Sequence, residues 1–122
     1  MPQKEQIKDT IGTLYNEVFA NGRYEILEQI VEGPYIQHNP LFPNGTEVLA
    51  GFLKSAGSLP NEVKRIAIDG DLAFVHVRYP NWNGQEHAGV DIFRFNDSGK
   101  IVEHWDVLQP TPSEAANSNS MF

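Results

Sequence analysis

The chain has 122 residues, with 16 acidic against nine basic side chains and no cysteine. That length suits one domain with a sizeable core. The missing cysteines exclude disulfides, thiolate zinc sites and cysteine nucleophiles, and they fit a reducing, cytoplasmic setting. A formal net charge of -7 with scattered Lys and Arg excludes nucleic acid as an expected partner. No run of about 18 apolar residues suggests a membrane span, and residues 1–6 lack the basic-then-apolar pattern of a secretion signal.

Ile7, Ile11, Leu14, Tyr15, Val18 and Phe19 have the spacing of an amphipathic helix with one buried face. Asn21-Gly22 supplies the residue types that end it. A short second helix follows, with Tyr24, Leu27, Ile30 and Val31 on one side, and Gly33-Pro34 stops it. Residues 35–40 are a short extended piece leading into turns. Asn44 and Glu47 have capping-box spacing, which predicts a third helix over 46–56 that buries Val48, Leu49, Phe52 and Leu53.

The second half changes to strand character. Residues 63–68 and 72–79 flank the hairpin signal Asp69-Gly70-Asp71. Residues 80–84 read as a loop, 87–95 as a strand, 96–100 as a turn and 101–109 as the last strand. Helices first and an antiparallel meander after them is the α+β pattern, with helices gathered on one face of a curved sheet. One domain over 1–110 and a polar tail over 111–122 is the expected organisation.

Alternation along strands sorts the candidate site residues. Phe74 and His76 share one face of their strand, Asp91 and Phe93 one face of the next, and His104 and Asp106 one face of the last. If the helices cover the face holding Phe74 and Phe93, then His76, Asp91, His104 and Asp106 look into one apolar cup. Ionisable groups gathered there are costly unless paired, which is a functional signal. The opposite assignment places Val75, Val77, Arg94, Glu103 and Trp105 inside instead. Each residue also has a plain structural reading: a satisfied core histidine, a sheet-edge carboxylate, a Trp filling an interface.

The sequence contains no Gly-rich phosphate loop, no Gly-x-Ser-x-Gly elbow and no helical His-x-x-x-His pair. A metal held by His38, His76, His104 and a carboxylate is chemically reasonable, but nothing in the spacing requires it.

Four pieces carry a resemblance: Tyr35-Ile36-Gln37-His38-Asn39-Pro40, Asp69-Gly70-Asp71-Leu72 leading to Val75-His76-Val77, Val90-Asp91-Ile92-Phe93-Arg94, and above all residues 99–110 with Glu103-His104-Trp105-Asp106. Together they resemble the SnoaL-like proteins of the nuclear-transport-factor-2-like superfamily, over nearly the whole chain. The resemblance implies a cone-shaped barrel, a strongly bent, mostly antiparallel sheet wrapped around N-terminal helices. It implies a pocket at the wide end and homodimers formed through the outer sheet face. The family's polyketide cyclases work without cofactor or metal, and an aspartate late in their sheet acts as general acid/base. By position that aspartate is Asp106, with Asp91 second.

The leading expectation is a cofactor-independent lyase or isomerase acting on a small, partly apolar carbonyl compound. Asp106 or Asp91 would take the proton, and His104, His76 or His38 would donate to the enolate oxygen. Tyr35, His38, Phe74, Phe93 and Trp105 would bound the ligand. The rival is a non-catalytic ligand-binding or dimeric interaction module of the same fold.

Overall fold

A computed structural model describes residues 2–122. Helix α1 spans Lys4–Gly12 and runs on as a π-helical stretch over Thr13–Ala20. The periodic apolar set from Ile7 to Phe19 is buried as its spacing predicts. In the π stretch, the Asn21 N–H reaches back five residues to the Asn16 carbonyl at 3.0 Å. The connector before β2 caps other carbonyls here: Leu59 N–H donates to Phe19 O and Asn61 Nδ2 to Tyr15 O.

A 3₁₀ turn over Tyr24–Ile26 leads into the short helix α2, Leu27–Ile30. Helix α3 is Glu47–Ala56. Its N-cap is Thr46, without a side-chain cap bond, and Asn44 Oδ1 instead accepts the Gln37 N–H at 3.0 Å. The expected capping box is therefore absent. Leu53 is the fully buried residue of α3, whereas Val48 is 49% exposed.

The five strands are β1 Val31–Gln37, β2 Glu62–Asp69, β3 Leu72–Trp82, β4 Gln85–Phe95 and β5 Ile101–Pro110. They form one sheet in the order β1-β5-β4-β3-β2, in which β1 lies parallel to β5 and the other pairs are antiparallel. The architecture is α+β. The sheet is bent over the helices and does not close into a barrel, because β1 and β2 remain its edges. Among the described residues no helix is long and apolar enough to cross a membrane.

Residues 80–84 are not a loop. Strand β3 continues to Trp82, and Asn83-Gly84, at φ 56° and 89°, makes a two-residue hairpin turn. Trp82 pairs with Gln85, but Tyr79 pairs with His87, so the register shifts once between them, around Pro80. That shift decides which side of β3 faces the helices. A regular ladder from Trp82↔Gln85 would set Phe74 opposite Phe93 and His76 opposite Asp91. The irregularity instead sets Ala73 opposite Phe93 and Val75 opposite Asp91. Ala73, Val75, Val77 and Tyr79 therefore line the core, and Phe74 and His76 turn to the outer face.

The segment after β5 follows the outer side of the sheet. Thr111 N–H donates to Glu86 O, Arg65 Nη1 to Phe122 O, and the Phe122 ring stacks on His76 at 6.1 Å.

The helix ends meet at a tight point. Gly22 has φ 70°, and a Cβ there would lie 2.0 Å from the Gly57 carbonyl oxygen. We predict that Gly22→Ala lowers stability by more than the roughly 1–2 kcal/mol that a left-handed residue costs alone. A urea melt with an unchanged midpoint would contradict this.

Candidate active site

The site is assembled on one carboxylate. Asp91 projects from β4 into the core and is 3% exposed. The Tyr15 hydroxyl, from the π stretch, and the Tyr79 hydroxyl, from β3 at 2.6 Å, both donate to its Oδ2. His104 Nε2, from β5, lies 2.9 Å from its Oδ1. Burial, then the Asp91 charge, pushes both tyrosine hydroxyls well above the usual phenol range, so they stay protonated donors.

His104 is fixed from its other side as well. Its Nδ1 lies 2.6 Å from Gln37 Oε1. That same oxygen accepts the Asn39 backbone N–H at 3.0 Å, which settles the orientation of the amide. An amide oxygen cannot donate, so Nδ1 must. Its two ring nitrogens thus face an amide oxygen and a carboxylate, and both are engaged. Tyr35 and Phe93 pack on its faces, at 6.5 and 4.9 Å between ring centroids.

Asp106 pairs with Asp91 across the β4–β5 ladder, and its side chain is 9% exposed. Asn39 Nδ2 donates to its Oδ2 at 2.8 Å, and His104 Nε2 lies 3.8 Å from the same oxygen. Burial raises its pKa above the ordinary 3.8; the Asn39 bond and the His104 charge oppose that rise without cancelling it. Tyr35 is held as a neutral phenol by burial, then by the charges of Asp91 and Asp106, and the Gln37 amide pulls the other way.

These groups surround a cavity of about 40 Å³ whose remaining wall is apolar, including Leu14, Leu27, Leu49 and Leu108. At roughly 10–15 Å³ per water position, that is room for a few waters. Among the described residues no buried side-chain polar atom lacks a partner.

Asp91, His104, Asp106, Tyr35 and Phe93 thus meet at one cavity. The other expected residues lie elsewhere. His76 is on the outer face, 3.0 Å from Arg65 Nη1, and Phe74 is on that face too. Trp105 is also outside, stacked on His38 at 4.9 Å and covered by Arg94 at 5.3 Å. His38 Nε2 bonds Glu103 Oε2 at 2.8 Å, and Glu103 also holds Arg94. His38 is turned outward because Gln37 and Asn39 use the cavity side at that end of β1.

The three histidines proposed as a metal set are therefore not together. Asp91, His104 and Asp106 do offer one donor atom each within 4.8 Å of one another. A divalent cation there would have to break the 2.9 Å bond between His104 and Asp91.

Sequence reasoning missed Tyr15, Tyr79, Gln37 and Asn39 as site residues. The signals were available. Tyr35, Gln37 and Asn39 alternate onto one side, and a tyrosine on the buried face of a helix needs a polar partner.

A bent sheet over helices is the fold shared by the similar solved structures. The SnoaL-like domain model matches residues 12–104, and the chain belongs to that family. It is similar to a nuclear-transport-factor-2-like protein of unknown function from Burkholderia xenovorans LB400, at 23% identity and TM-score 0.75 over 92% of this chain and 88% of that one. It also resembles an M. tuberculosis LEH-like epoxide hydrolase, at 14% identity and TM-score 0.71 over 88% and 86%. A steroid delta-isomerase from Pseudomonas aeruginosa matches at 18% identity and TM-score 0.67 over 90% and 84%. At these identities the likeness speaks to the fold. None of the curated proteins matches the chain.

Proposed function

We propose that this protein is a cofactor-independent lyase or isomerase that moves a proton next to the carbonyl of a small, partly apolar compound, with Asp106 as the base. The observation that carries this reading is the unequal treatment of two facing carboxylates. Asp91 is saturated by two phenols and an imidazole and serves as scaffold. Asp106 takes one hydrogen bond among the described residues, from Asn39, and burial raises its pKa. A carboxylate so placed is a stronger base than one in water. His104 Nε2 lies 3.8 Å from the same carboxylate.

Tyr35 is the group best suited to hold the enolate oxygen. It is a buried, neutral phenol on the cavity wall beside Asp106 and His104. His104, whose two nitrogens are both engaged, positions rather than donates. That epoxide hydrolase and isomerase structures share the fold supports small-molecule chemistry as the class.

The test is α-proton exchange. A panel of cyclic ketones and diketones is incubated with the protein in D₂O, and loss of the α C–H signal is followed by NMR. Enzyme-dependent exchange that disappears in Asp106→Asn is expected. Exchange of equal rate in that variant would overturn the assignment.

We also propose a homodimer formed through the outer sheet face. Val107 is 72% exposed and Val90 38%, on a sheet face that also carries Phe74, Ile92 and Trp105. An apolar sheet face of this kind is the usual material of an interface. Light scattering should give twice the chain mass, falling to the monomer mass in Val107→Glu. A monomeric parent protein would overturn the proposal.

A further inference from the structure

The cavity at Asp106 is too small for the ligand class proposed for it. About 40 Å³ takes a few water-sized groups, enough for a carbonyl and its nearest carbons. On the other side of one aromatic wall lies a second space of about 270 Å³, open to solvent. Phe42 and Trp82 line both spaces. The outer groove is completed by Leu41, Val48, Phe52 and Asn83, so no charged side chain lines it. Leu41 is 59% exposed and Val48 49%, two large apolar residues facing water side by side.

Half of the dividing wall lies outside regular structure. Phe42 sits in the connector between β1 and α3, outside any regular element, on a turn closed by its N–H to Asn39 O at 3.1 Å. Its ring is held by tilted and edge contacts, at 5.9 Å to Phe52 and 6.3 Å to Trp82. Phe42 lines both spaces and belongs to no strand or helix, so its ring can turn without moving a strand.

We propose that the groove is the second half of the binding site and Phe42 its gate. The ligand is then an amphipathic carbonyl compound, with a compact polar head beside Asp106 and an uncharged aliphatic or aryl tail lying over Trp82 against Leu41 and Val48. This deepens the reading of Asp106 as base and rests on it for the head group. The tail site stands on the groove itself.

The chain has two tryptophans, so Trp105→Phe leaves Trp82 as the sole reporter, at the gate. Titration of that protein with acetone, methyl propyl ketone and methyl pentyl ketone should quench Trp82 fluorescence with a Kd that falls about fourfold per added methylene. Val48→Asp, in the same background, should flatten that dependence. The change lies on the exposed first turn of α3, where an acidic residue suits the helix.

A Kd independent of chain length, the same dependence in Val48→Asp, or no quenching by any ketone would each overturn the groove as tail site. A change of assembly mass in Val48→Asp with no chain-length dependence would make the groove a contact between copies instead. Asp106 is judged separately, by α-proton exchange, so the two proposals fail independently.

Discussion

Replacing Asp106 by Asn should abolish proton transfer and, at neutral pH, make the protein harder to melt. The side chain keeps its volume, and its amide oxygen can still accept the Asn39 Nδ2 hydrogen bond seen at 2.8 Å. What is lost is the base, a change expected to cost about 10²–10⁴ in rate. The stability effect follows from the raised pKa. The folded state favours the protonated carboxyl, so the stability this group contributes is fully present below the unfolded value of 3.8. It is lost as pH rises through the higher folded value. Asn is neutral throughout and does not suffer that loss. The variant's advantage in Tm should therefore appear at neutral pH and shrink in acid. A lower Tm than the parent at pH 7, or undiminished exchange, would contradict the account.

Replacing Asp91 should do the opposite and attack the fold. Asp91→Ala leaves the Tyr15 and Tyr79 hydroxyls and the His104 ring without their shared acceptor, inside a region that is almost fully buried. Removing one partner of a buried charged pair costs about 3–5 kcal/mol, and each stranded hydroxyl adds to that. Set against the usual stability of about 5–15 kcal/mol, this is a large fraction of the total. Urea denaturation should show it as a large fall in midpoint. Adding Tyr15→Phe and Tyr79→Phe to the Asp91→Ala protein should recover part of the loss, because the stranded hydroxyls go too. A loss below about 1 kcal/mol would show that the cluster is not the structural centre argued for.

The division of labour between the two aspartates could not be read from the sequence, although both were singled out. Strand alternation correctly grouped Asp91 with Phe93 and His104 with Asp106, because β4 and β5 pair regularly from Arg94↔Glu103 to His87↔Pro110. The same logic failed at β3. One shifted residue near Pro80 exchanges its faces, and both faces are apolar enough that hydrophobicity does not reveal the exchange. His76 and Phe74 were lost to the site for that reason, and Tyr79 was gained. Trp105 follows from simple alternation once His104 is inside.

The first helix was legible because six apolar residues share one period. What that period hid was Tyr15, which counts as core by spacing and as a site residue by its hydroxyl. The capping box at Asn44 and Glu47 failed for a different reason. The asparagine side chain had a competing use, holding the end of β1 in place.

The most direct measurement is a ¹³C NMR titration of the side-chain carboxyl of Asp106, identified by the signal missing from Asp106→Asn. The account predicts a midpoint above the ordinary aspartate value of 3.8. A midpoint at or below that value would mean that burial does not raise the basicity of this carboxylate, and would contradict its role as the base.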